Sequence, residues 1–127
     1  MKKMKDYRSG FVGLHVIVET VRVLLEHGAD VTARDRTYST PLHLASWEPI
    51  PEIVRLLIDH GADVNAPDGG HQTPLHLASS KPSPEVVRLL IERGADVDAL
   101  DRNLQTPLHL ASSLVGIELR DCCYSSG

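Results

Sequence analysis

The residues best able to do chemistry in this 127-residue chain are its seven histidines. An imidazole can ligate a metal or carry a proton near neutral pH. Three of them, His43, His76 and His109, recur at one fixed interval, while His15, His27, His60 and His71 are scattered with no recognisable pairing. Helices stacked at their usual separation hold equivalent side chains about 10 Å apart. Zinc needs each ligand within about 2.0–2.3 Å of one ion, which that spacing forbids. Other reactive arrangements are missing from the sequence: it has no nucleophile elbow, no His-Glu-x-x-His and no Cys-x-x-Cys. Gly69-Gly70 lacks the Lys-Ser/Thr companion of a phosphate-binding loop and reads as a turn. Neither catalysis nor a metal or cofactor is expected.

Composition narrows the classes further. Apolar residues make up 42% of the chain, enough for one core, and the whole of 1–127 reads as a single domain. Seventeen acids against 13 Lys and Arg leave a net charge of -4, with no basic stripe for nucleic acid. No apolar run approaches the roughly 20 residues of a bilayer crossing, so no membrane association is expected. The basic start Met1–Lys5 precedes the apolar stretch Phe11–Val18, but Glu19 follows without a small-residue cleavage site, a weak pattern for a secretory signal. Cys122 and Cys123 are adjacent and build no disulfide framework, which favours a reducing, intracellular and cytoplasmic setting.

The elements that position these residues repeat. Thr-Pro-Leu-His-Leu-Ala occurs at 40–45, 73–78 and 106–111, and Gly-Ala-Asp-Val at 28–31, 61–64 and 94–97. Between them lie the apolar segments 21–25, 54–58 and 87–91, spaced by the same interval. Three strings holding one register mark a repeat architecture. Thr40, Thr73 and Thr106 stand at helix N-cap positions, each with proline at the first helical position. Pro49 and Pro82 end the short first helices, and second helices open at Pro51 and at Pro84, the latter capped by Ser83. Their apolar rows Ile53, Leu56, Leu57 and Val86, Leu89, Leu90 fall at i, i+3, i+4. Gly61 and Gly94 supply left-handed stops. Helices are predicted near 41–47, 52–60, 74–80, 85–93 and 107–113, with another from about Val12 to His27. The predicted core comprises Leu42, Ala45, Val54, Leu57, Leu75, Ala78, Val87, Leu90, Leu108 and Ala111.

A single unit of this kind cannot bury its own apolar face, so units must stack. With its 33-residue period and Thr-Pro-Leu-His signature, the chain resembles the ankyrin repeat from about residue 14 to 113. The resemblance implies an all-α solenoid of helix-turn-helix units with hairpin-like loops projecting to one side. It implies protein binding without catalysis, and a signature histidine that hydrogen-bonds locally and ties adjacent loops together. The units divide as a degenerate N-terminal repeat at 11–36, whole repeats at 37–69 and 70–102, and a truncated repeat at 103–127.

Several features depart from the family pattern. Tyr7-Arg8-Ser9-Gly10 stands where the first signature would be, and after Ser113 the apolar pattern and the Gly-Ala-Asp ending are lost. Residues from about Gly116 onward are expected to be poorly ordered in a monomer, with the apolar end favouring self-association. Tyr38, His71 and Leu104 occupy the slot where the family has glycine two residues before the Thr, which predicts altered tips. Pro49-Ile50-Pro51 and Pro82-Ser83-Pro84 replace the usual turn between helices.

The family's binding surface, carried over position by position, assigns partner contacts to tip residues Arg36, Thr37, Ser39, Gln72, Arg102, Asn103 and Gln105. Helix-end residues Trp47, Glu48, Ser80 and Lys81 complete it. Trp47 has Ser80 and Ser113 as its counterparts, so it is either an interface aromatic or packed on Pro49–Pro51. The triplets Glu19/Arg22/Glu26, Glu52/Arg55/Asp59 and Glu85/Arg88/Glu92 read as solvated helix faces laced by internal pairs. Two functions follow: a module binding an unidentified protein through tips and concave face, or an assembly protein forming homo-oligomers through the apolar ends of its array.

Overall fold

The computed structural model describes residues 11–48, 50–81 and 83–114. The readings placed on Pro49, Pro82 and the segment from Gly116 onward lie outside them. Among the described residues the secondary structure is helical, without a strand: α1 Phe11–Glu26, α2 Pro41–Trp47, α3 Pro51–Asp59, α4 Pro74–Ser79, α5 Pro84–Glu92 and α6 over 107–114. These bounds follow the predicted helices to within a residue or two.

The capping chemistry is repeated at each short helix. Thr40 accepts from the His43 backbone N–H while the His43 ring accepts from the Thr40 N–H, and Thr73 with His76 does the same. Proline at the first position costs no hydrogen bond because that N–H has no partner inside a helix. Beyond α3 and α5, Gly61 and Gly94 take φ 97 and 98, and Ala62 and Ala95 return their N–H groups to Leu57 and Leu90. Ser83 is a correction: it makes no side-chain cap, and its hydroxyl is buried without a partner among the described residues.

Helices of one kind stack on their own kind. α2 packs on α4, α1 on α3, and α3 on α5, while α2–α3 and α4–α5 pair within units. The core between the layers contains Leu42, Ala45, Val54, Leu57, Leu75, Ala78 and Leu90, together with Ile53, Val86 and Leu89. Three core expectations are corrected. Val87 is half-buried and Val86 takes its place inside, whereas Leu108 and Ala111 are exposed. Their repeat equivalents are covered by a following unit, and no described residue follows α6. The helix-face triplets are also only partly realised. Arg22 pairs with Glu19 at 3.4 Å, but Asp59 reaches between units to Arg93 at 3.0 Å.

Candidate protein-binding face

Each loop tip is organised by an aspartate that the sequence reading passed over. Asp35 Oδ1 accepts from the Thr37 and Ser39 N–H groups at 2.9 and 3.0 Å, and from the Thr37 hydroxyl at 2.8 Å. Asp68 binds the Gly70 and Gln72 N–H groups, and Asp101 those of Asn103 and Gln105. The signal was available, because these aspartates hold the same register as the signature histidines. The Thr37 hydroxyl and the Ser39 N–H hold the Asp35 carboxyl below its usual value. For Asp101, burial pushes the value up, but bonds from the Gln105 and Asn103 N–H groups outweigh it and the net shift is downward.

Within each tip one residue turns left-handed: Tyr38 at φ 64, His71 at φ 63 and Leu104 at φ 61. The expectation of altered tips is therefore corrected. The backbone keeps the conformation that glycine would adopt, and a bulky residue bears the strain. The aspartate anchor and the Tyr38-to-Asp35 backbone bond, repeated as His71 to Asp68 and Leu104 to Asp101, hold it there.

The tips line up through direct bonds. The Gly69 N–H donates to the Thr37 carbonyl and the Arg102 N–H to the Gly70 carbonyl. A Cβ on Gly69 would sit 2.9 Å from the Thr37 carbonyl oxygen, so a side chain there would need a small shift of the tips; Arg102, one repeat on, makes the equivalent bond at 3.0 Å with a side chain present. Arg34 bridges the Tyr38 and Pro67 carbonyls at 2.7 and 2.6 Å, and the Arg102 side chain donates to the Gly69 carbonyl. Beneath them the His43 ring donates from Nε2 to the Gln72 carbonyl, and His76 to that of Gln105 at 2.8 Å. Nδ1 already accepts the Thr40 or Thr73 N–H, so the ring proton must lie on Nε2. The signature histidine is thus a structural tie. His109 makes the local cap with Thr106 but is exposed.

The residues assigned to partner contact form two groups. Arg36, Thr37, Arg102 and Asn103 are exposed along the tip row, and Ser39, Gln72 and Gln105 are half-buried beside them. Arg102 is partly committed as a brace between tips. At the helix ends, Trp47, Glu48 and Lys81 come together: the Lys81 ammonium lies 4.5 Å from the Trp47 ring centroid and 3.9 Å from the Glu48 carboxylate. Trp47 remains 45% exposed. Ser80 turns its hydroxyl back to the Leu77 carbonyl at 2.8 Å. Among the described residues no hydrogen bond or ion pair joins the tip row to the Trp47 group.

Among the described residues no three His, Cys, Asp or Glu side chains could share a metal ion, and no helix is long and apolar enough to cross a membrane. What the face offers is a row of backbone-anchored polar tips, with Tyr38 exposed among them, and the exposed Trp47 at the end of α2. A search of curated proteins finds no match. Family models described as ankyrin repeats (3 copies) and ankyrin repeats (many copies) match residues 13–68 and 57–111, together spanning 13–111. The chain belongs to the ankyrin-repeat family.

Proposed function

We propose that this chain is a non-catalytic recognition module that binds a protein partner through its tip row and the adjoining helix ends. Ankyrin repeats are in general protein-protein interaction modules. The observation that carries the reading here is Trp47. No other unit has an aromatic at that position, yet the ring is held in place by Lys81 and left facing solvent. An exposed tryptophan with its orientation already set is the usual anchor of a protein interface. The polar tips, fixed by Asp35, Asp68 and Asp101, present further donors and acceptors with little conformational freedom to lose on binding. The units 37–69 and 70–102 supply most of this face, and the adjacent thiols Cys122 and Cys123 accord with a cytoplasmic setting.

The test compares three immobilised baits in lysate: the natural chain, Trp47→Ala, and Glu85→Ala on an exposed α5 position outside the face. A protein recovered by the first and third and lost with Trp47→Ala supports the reading. Equal recovery on all three baits rejects it.

A further inference from the structure

The two ends of the described array are unfinished in complementary ways. At the N-terminal end α1 occupies the place of a second helix, since Leu24 stands one repeat before Leu57 and two before Leu90. Leu57 and Leu90 are buried, but Leu24 is 56% exposed. It lines an apolar groove of about 410 Å³ between α1 and α2, with Ile17, Val21 and Leu44. A first helix preceding α2 would fill that space. At the C-terminal end α6 is such a first helix. Leu108 is 73% exposed, although its equivalents Leu42 and Leu75 are buried.

The polar groups are complementary as well. The Gln72 and Gln105 carbonyls each accept one bond from their own tip aspartate's N–H and a second from the histidine of the preceding unit. Their equivalent, the Ser39 carbonyl, has the Asp35 bond and, among the described residues, no histidine. Conversely, His109 Nε2 has no carbonyl among the described residues. Between tips, the N–H groups of Gly69 and Arg102 donate to the preceding tip, at Thr37 and Gly70. In the same register, and among the described residues, the Arg36 N–H is the unmatched donor and the Asn103 carbonyl the unmatched acceptor.

We propose that copies of this chain join head to tail, with α6 of one copy lying in the groove beside α1 of the next. The two half-units then make one whole unit, first helix from one chain and second helix from the other. Leu108 and Ala111 cover Leu24, His109 donates to the Ser39 carbonyl, and Arg36 N–H to that of Asn103. The internal stacking of α2 on α4 and α1 on α3 is the template for this joint. The sequence beyond α6 keeps the apolar row of a second helix only in part. One repeat after Val86, Leu89 and Leu90 stand Leu119, Cys122 and Cys123, so two leucines are replaced by smaller thiols. A head-to-tail contact between two copies leaves one groove and one α6 free, so association runs beyond two chains. The proposal rests on the ends of the array rather than on the Trp47 face, and Trp47→Ala should leave it unchanged.

Light scattering after size exclusion, from micromolar to about 1 mM protein, tests it with Leu24→Glu and Leu108→Glu. Both positions are more than half exposed, so each variant should keep the helical circular-dichroism spectrum. The natural chain should rise with concentration beyond the mass of two chains. Each variant alone should stay at one chain, and an equimolar mixture should reach two chains and stop, because one intact groove meets one intact α6. A natural chain of single mass throughout would overturn the proposal. So would a Leu108→Glu variant that still pairs, which signals α1-to-α1 contact, or a mixture that gives no pair. Amide exchange on the natural chain is a second readout: protection at Arg36 should grow with concentration, and unchanged protection rejects the joint.

Discussion

His43 holds the backbone of the unit that follows it: its Nε2 donates to the Gln72 carbonyl at 2.9 Å while its Nδ1 accepts from its own Thr40 N–H at 3.1 Å. One imidazole thus caps the N-terminus of α2 and fastens the next tip. Both bonds need the neutral ring, with one nitrogen accepting and the other donating. The same geometry at His76 and Gln105 makes it a property of the repeat.

Removing that side chain should weaken the stack. His76→Ala leaves the buried Thr73 N–H without its partner and takes away one of the two bonds to the Gln105 carbonyl, and is expected to cost about 1–3 kcal/mol. His109→Ala, at the exposed end, should fall within about ±0.5 kcal/mol in a dilute monomer. Urea melts of the two variants check the contrast, and equal losses would contradict it.

Burial pulls the His43 ring below its ordinary value of 6.5 despite the bond to the Gln72 carbonyl. The unfolded chain therefore takes up the proton first as pH falls. The stabilisation is complete above about pH 6.5, the unfolded value, and is lost as pH drops through the lower folded value. Melting temperature should decline between pH 7 and pH 5. The decline should be smaller in His43→Gln, which does not titrate; an identical decline would assign it to other groups. Asp35 and Asp101, held below 3.8, act only at more acid pH, where their contribution fades as the carboxyls protonate.

Leu90 is fully buried between layers, and Leu90→Ala should cost about 2–5 kcal/mol. Leu108→Ala, at an exposed site, should cost no more than about 0.5 kcal/mol at concentrations where the chain is monomeric. A large loss at Leu108 under those conditions would show that something in the chain covers it.

The left-handed tips offer a stabilising change. Leu104 is exposed and packs little, so Leu104→Gly gives up few contacts while relieving strain of roughly 1–2 kcal/mol. The greater freedom of glycine when unfolded offsets part of this, about 0.5–1 kcal/mol. A net gain of up to about 1.5 kcal/mol is expected in denaturant melts, and a loss would mean that the tip does not hold Leu104 under strain.

Much of this molecule was legible along the chain because its contacts are local or recur at one period. Thr40 with Pro41, and Thr73 with Pro74, mark helix starts by chemistry confined to a single turn, and Gly61 and Gly94 mark helix stops in the same way. The repeat register then tells which apolar residues face a neighbour, as at Leu42 and Leu75. That logic assumes a neighbour on both sides, and it failed at the ends: Leu108 carries the same motif as Leu75 and is exposed. Only the tertiary structure decided which copies of the motif are covered, because burial of a motif residue depends on what is packed against it. The same holds for Trp47, whose ring is oriented by Lys81 from the next unit, far along the chain. It holds too for Tyr38, His71 and Leu104, whose residue types argue against the left-handed backbone that the tip's aspartate bonds enforce.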